Sequence, residues 1–174
     1  DLREIVADGI SSFKVFLAYK GALGLDDEGL YKTLGLAKEL GVIVTAHCEN
    51  ADLIAQLQAK LLSEGKTGPK WHYHSRPPMV EAEGVHHLAT FAALHDTHIY
   101  TVHTSCRESV EVALQAREKG VKIWIETLIQ YLTHDKTDAE RPSFQGAKFV
   151  MSPPLRDRSN QDYLWNALQQ GLVN

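Results

Sequence analysis

The stretch Val42-Ile43-Val44-Thr45-Ala46-His47-Cys48-Glu49-Asn50 decides the fold. Its first residues are β-branched or small and apolar, the composition of a strand. Gly41 just before it suits the left-handed end of a helix that carries Leu30, Leu34, Ala37 and Leu40 three and four residues apart. Asn50 just after it can cap a second helix, with Leu53, Ile54, Leu57 and Leu61 on one face. Helix, strand and helix in immediate succession imply parallel strands joined by crossovers, hence an α/β fold.

The same alternation extends both ways. Ser12-Phe13-Lys14-Val15-Phe16-Leu17, Ile99-Tyr100-Thr101-Val102, Val121-Lys122-Ile123-Trp124-Ile125 and Phe149-Val150-Met151 read as further strands. Val85, Leu88, Ala89, Ala92 and Ala93 mark a helix, as do Val110, Ala113, Leu114 and Ala116, and then Tyr163, Leu164, Ala167 and Leu168. Gly65, Gly120 and Gly171 close helices, and Ser105 with Glu108 reads as a capping box. Residues 66–78 and 133–146 read as long polar loops, which in an α/β protein tend to carry function. The chain opens without Met on what reads as a helix end (Leu2, Ile5, Val6, then Gly9), as if cut from a longer protein. Its 174 residues fall short of the ~250 usual for a closed eight-unit barrel.

Composition narrows the partners. A net charge of -4 offers no basic field for a nucleic-acid backbone. No apolar run approaches the ~18 residues of a membrane span. Two cysteines are too few for a disulfide framework, which with the absence of a signal-like start makes a reduced, cytoplasmic setting the expectation. No phosphate-cradling glycine loop and no GxSxG nucleophile elbow is present.

Chemistry gathers at strand ends. Lys14 sits inside an apolar strand, where a buried ammonium must be paired, neutralised or modified, unless its head reaches the surface. His47 and His103 end two successive strands, where imidazoles converge and can hold a metal. His72-Tyr73-His74 reads as ordinary loop, the adjacent His86 and His87 diverge on a helix, and His95, His98 and His134 read as surface residues. Cys48 reads as buried packing. Glu126-Thr127 could bind a metal but suits better the holding of a loop or a histidine. Ser152-Pro153-Pro154-Leu155-Arg156 fixes its backbone by two prolines and could present main-chain groups to a planar amide, or be a rigid turn.

These stretches together resemble the cyclic amidohydrolases of the dihydropyrimidinase and hydantoinase group, within the metal-dependent amidohydrolases. The resemblance rests on residues 12–20, on Ala46-His47-Cys48-Glu49-Asn50, on Ser75-Arg76-Pro77, on Val102-His103-Thr104-Ser105, on residues 126–132 and on Ser152-Pro153-Pro154-Leu155-Arg156, in order and in spacing. It implies that residues 1–174 are one segment, truncated at both ends, of a TIM-like α/β (β/α)8 barrel domain, about its second half, with two divalent metals, usually zinc. In that scheme Lys14 matches the carbamylated lysine bridging both metals, and His47 and His103 match histidine ligands. Tyr19 matches a catalytic, substrate-binding tyrosine that stabilises the oxyanion, and Ser152 matches the residue whose main chain holds the substrate's ring amide. The implied reaction opens a small cyclic ureide or imide to an N-carbamoyl acid, in a homodimeric or homotetrameric parent. The family's His-x-His pair and its aspartate proton shuttle have no match here, so the isolated segment is expected to be inactive. Ile129 stands where the family commonly has proline.

Three other possibilities fit parts of the sequence. A non-catalytic relative acting as a scaffold is opposed by the retention of Lys14, His47 and His103 together. An allantoinase or dihydroorotase relative stays open, with the Ser-Pro-Pro-Leu-Arg segment favouring the hydantoinase branch. A small flavodoxin-like binding module fits the length but lacks a phosphate loop.

Overall fold

A computed structural model describes residues 2–174. After a short helix α1 (Leu2–Ala7), four strands run parallel: β1 (Ser12–Lys20), β2 (Ile43–His47), β3 (Ile99–Thr101) and β4 (Ile123–Ile125). They lie side by side in chain order. Between and after them come α2 (Asp27–Leu40), α3 (Ala51–Ser63), α4 (Trp71–Ser75), α5 (Pro78–His95), α6 (Arg107–Glu118), α7 (Ile129–Thr133) and α8 (Arg158–Gln169).

Register explains which residues are buried. Phe13 and Val15 pair with Val44 and Ala46, Val44 and Ala46 with Ile99 and Thr101, and these with Ile123 and Ile125. All eight are buried. Side chains alternate across a strand, so they share one face. Leu30, Leu34 and Ala37 of α2, Val85, Leu88, Ala89 and Ala92 of α5, Val110 and Ala113 of α6, and Leu164 and Ala167 of α8 join them in one core. The opposite face carries Lys14, Phe16, Thr45, His47, Tyr100 and Trp124, of which only His47 is fully buried.

A sheet wound in one direction, with its apolar core on one face and polar side chains on the other, is an arc of a TIM-like barrel, a fold whose active sites sit at the C-terminal ends of the strands. A flavodoxin-like sheet would reverse its strand order and be apolar on both faces, so that possibility falls.

Helix ends follow the sequence in part. Asn50 accepts from the Leu53 N–H at 2.9 Å, and Gly41 closes α2 at φ 68°. The capping box expected from Ser105 and Glu108 is absent: Cys106 is the capping residue, and the Ser105 hydroxyl is taken by the buried Glu81 carboxylate. Phe149-Val150-Met151 forms no strand; Phe149 ends a tight 3-10 turn (Gln145–Phe149), and the two prolines that follow have no N–H with which to join the sheet. The loop expected at 66–78 contains α4, and the one at 133–146 contains a second 3-10 turn (Lys136–Glu140), too short for periodicity to announce them.

Candidate active site

Lys14 is exposed, so of the two alternatives its head reaches the surface. Its strand neighbours Phe13 and Val15 bury the other face, while β1 is an edge strand of the sheet. Its Nζ stands 5.2 Å from the centre of the Phe16 ring. Phe16 pairs with His47 across the sheet, so Lys14 lies on the same face as His47, one inward-facing pair nearer the strand starts.

His47 ends β2, as expected. His103 lies two residues beyond the end of β3, in a left-handed conformation at φ 45°. That backbone costs a non-glycine residue energy and breaks the strand's alternation. Its N–H donates to Glu126 Oε1 at 3.1 Å, while the Thr127 hydroxyl donates to the Thr104 carbonyl at 2.8 Å. The loop-holding role foreseen for Glu126-Thr127 is what the geometry shows.

The turn brings the two imidazoles together. His47 Nδ1 and His103 Nε2 are 3.2 Å apart, and His103 Nδ1 is buried with no partner. Burial, with the neighbouring basic side chains of His47 and Lys14 adding to it, pushes the His103 pKa down to about 4, so the His103 ring is neutral. Two ligands on one tetrahedral zinc, each at about 2.0–2.1 Å, stand about 3.3 Å apart. The pair therefore fits a shared metal. Among the described residues no third His, Cys, Asp or Glu joins them in a group that could hold one.

Tyr19 stands beside the pair, with ring centres 5.4 Å from His47 and 6.0 Å from Phe16. It too is left-handed, at φ 61°, where the chain turns so tightly that its carbonyl accepts from the N–H groups of Ala22 and Leu23.

Ser152 belongs to a different cluster. Its hydroxyl is 3.2 Å from His72 Nε2, which also bonds the Met151 carbonyl at 2.8 Å, and the Tyr131 hydroxyl donates to the Pro153 carbonyl at 2.7 Å. His72 is thus no idle loop residue: it sits on α4 and pins the segment before the prolines.

Sequence reasoning also missed the charged residues beneath the site. Glu49, wholly buried, meets His47 Nε2 at 2.7 Å and accepts from Arg76 Nη1 at 3.0 Å. Burial alone would raise the Glu49 pKa, but the His47 hydrogen bond and the Arg76 charge hold it below the usual range. The Arg76 guanidinium also lies 5.7 Å from the Tyr19 ring centre. Arg156, at the end of the proline segment, donates to the Arg76 carbonyl, to Glu81 at 2.8 Å and to the Ser105 hydroxyl at 2.8 Å. The two-residue spacing of Glu49 from His47 was the available signal. Cys48 is buried and its thiol pKa is raised by burial, consistent with packing.

No family model matches the chain. It is 47% identical over 169 residues to a D-hydantoinase of Geobacillus stearothermophilus, covering 97% of this chain and 36% of the relative. A solved D-hydantoinase (dihydropyrimidinase) from Thermus sp. superposes with a TM-score of 0.97 at 58% identity, covering 99% of this chain and 38% of that one. The chain belongs to the family of the D-hydantoinases and dihydropyrimidinases, as a part of their length. It spans a little over a third of these relatives. A dihydropyrimidinase of Arabidopsis thaliana is 35% identical over 99% of the chain. A dihydroorotase from Campylobacter jejuni, at 13% identity and a TM-score of 0.66, shares the fold alone.

Proposed function

We propose that this chain is part of the catalytic barrel of a cyclic-amide hydrolase that opens hydantoin or dihydropyrimidine rings to N-carbamoyl amino acids. The observation that carries it is the convergence of His47 Nδ1 and His103 Nε2 to 3.2 Å at the strand ends, in a chain whose relatives are named for that activity. Lys14 as a carbamate, His47 and His103 would hold two divalent ions, zinc by preference, which would supply an activated hydroxide and a Lewis acid.

The chain's own residues do the rest. The Tyr19 hydroxyl donates to the oxygen on which negative charge develops as the ring carbonyl is attacked. The Ser152 main chain, pinned by His72, holds the ring amide and so orients that carbonyl. Two imidazoles and one lysine make an incomplete site, so the isolated 174-residue chain neither turns over substrate nor holds metal firmly. The substrate is a small cyclic ureide, and the full-length protein a cytoplasmic homodimer or homotetramer. No helix among the described residues is long and apolar enough to cross a membrane.

The test is ring opening of hydantoin and dihydrouracil by the full-length protein and by its His47→Ala and His103→Ala variants. Turnover by the parent, lost in both variants, is expected. A parent that opens neither ring, or a variant that keeps its turnover, would overturn the proposal; the first result favours a scaffold role.

A further inference from the structure

We propose that Glu49 and Arg76 are a positioning pair that locks the His47 imidazole with its proton on Nε2, leaving the Nδ1 lone pair aimed toward His103. The inference deepens the hydrolase assignment above and rests on it for its consequence, but not for its geometry.

A carboxylate can only accept. Glu49 Oε2, 2.7 Å from His47 Nε2 and bonded at 3.0 Å by Arg76 Nη1, therefore requires the His47 proton on Nε2. In the neutral ring the other nitrogen is then a bare lone pair, and it is the one that stands 3.2 Å from His103 Nε2. With the tautomer reversed, two lone pairs would face each other across the Glu49 contact and a proton would occupy the nitrogen facing His103.

Arg76 makes the arrangement possible. A lone carboxylate at 0% exposure would be too costly to keep, and Arg76, itself 5% exposed, is the cation that bonds it. Arg76 is in turn held from behind, since Arg156 donates to its carbonyl. The guanidinium also passes within 5.7 Å of the Tyr19 ring centre. One side chain thus ties the orientation of His47 to the placement of Tyr19. Carboxylates that accept from the far nitrogen of a metal-binding histidine typically contribute 10- to 100-fold to metal affinity.

The experiment uses the full-length protein and its Glu49→Gln, Glu49→Ala and Arg76→Lys variants, with folding checked by circular dichroism. Long-range ¹⁵N–¹H NMR of labelled, metal-free protein reads the His47 tautomer directly, and titration with zinc alone reads affinity. The parent is expected to show the proton on Nε2. Glu49→Ala should lose that preference and about 10- to 100-fold in zinc affinity. Glu49→Gln, whose amide oxygen can still accept, should keep the tautomer, and Arg76→Lys should keep it by supplying the charge. Should Glu49→Ala fail to fold, the parent spectrum and the two conservative variants still decide.

A parent proton on Nδ1, or an unchanged tautomer and zinc affinity in Glu49→Ala, would overturn the proposal, as would loss of the tautomer in both conservative variants. Ring-opening assays run in parallel separate the two claims. A tautomer set by Glu49 in a protein that opens no ring would leave the positioning pair standing and remove the hydrolase assignment.

Discussion

Gly84 on α5 lies against the backbone of Cys48 so closely that a Cβ there would stand 2.6 Å from the Cys48 carbonyl carbon and 2.8 Å from the Glu49 nitrogen. Those are backbone atoms, which cannot swing aside as the tip of a side chain could. The helix thereby sets the position of the residue that holds His47. Gly84→Ala should accordingly destabilise, although alanine favours a helix by up to about 1 kcal/mol over glycine. Overpacking of a tight core contact costs about 1–3 kcal/mol. Urea denaturation should show a lower midpoint, and zinc titration a weaker site; a midpoint at or above the parent's would mean that the contact yields.

Arg156 and Glu81 form a second buried pair, 2.8 Å apart and with both residues below 6% exposure. Removing one partner of such a pair typically costs about 3–5 kcal/mol, because the other is left as an unpaired buried charge. Arg156→Met should fall in that range, and it should also free the Arg76 carbonyl and the Ser105 hydroxyl. Adding Glu81→Gln removes the stranded charge while leaving an acceptor for Ser105. The double variant should therefore lose less than the two single losses added together, by about 0.5–3 kcal/mol. Additive losses in a double-mutant cycle would contradict the coupling.

The sheet was legible because each strand carries its period in its own sequence: Val44 and Ala46 bury, and Thr45 and His47 alternate with them. Asn50 and Gly41 marked their helix ends for reasons equally local. The apolar neighbours of Lys14 leave its burial open in the sequence, because they point to the other face of the strand. His103 reaches His47 through a left-handed backbone that no alternation could foretell. The bond from His72 to the Met151 carbonyl spans 79 positions of the chain, and α4 has only five residues, too few to show a helical period. The buried charges Glu49, Arg76, Glu81 and Arg156 stand far apart in sequence and find each other only in the fold.

Acid titration should single out Asp96, which closes α5 in a left-handed conformation at φ 48°. Hydrogen bonds from Lys122 and then Lys38, at 2.6 and 2.7 Å, draw its pKa down to about 2 from 3.8. A depressed carboxylate stabilises the fold above its unfolded value and loses that contribution as pH falls toward the folded value. The parent should thus lose an increment of stability between about pH 4 and pH 2 that Asp96→Asn does not lose. Asparagine tolerates the left-handed backbone, so the comparison isolates the charge. Denaturation curves of the two proteins should converge over that interval; parallel curves would show that the lysine pairs contribute nothing.

The division of labour between Lys14 and Tyr19 gives the sharpest separation by mutation in the full-length protein. Lys14, on the inner face of β1 and on the same side as His47, is the residue proposed above to hold metal as a carbamate. Tyr19, with its ring 5.4 Å from that of His47, offers a hydroxyl and no metal-binding group of comparable strength. Lys14→Ala should therefore lose bound metal and turnover together. Tyr19→Phe should keep its metal and lose about 100- to 1,000-fold in kcat, the usual effect of removing one donor to an oxyanion, with KM little changed. The ring that packs on Phe16 and under Arg76 is retained in phenylalanine, so the site's shape is not at issue. Metal analysis and steady-state kinetics on the two variants decide it. If Tyr19→Phe shed metal as Lys14→Ala does, or raised KM at nearly normal kcat, Tyr19 would be a structural or ground-state contact rather than a donor to the transition state.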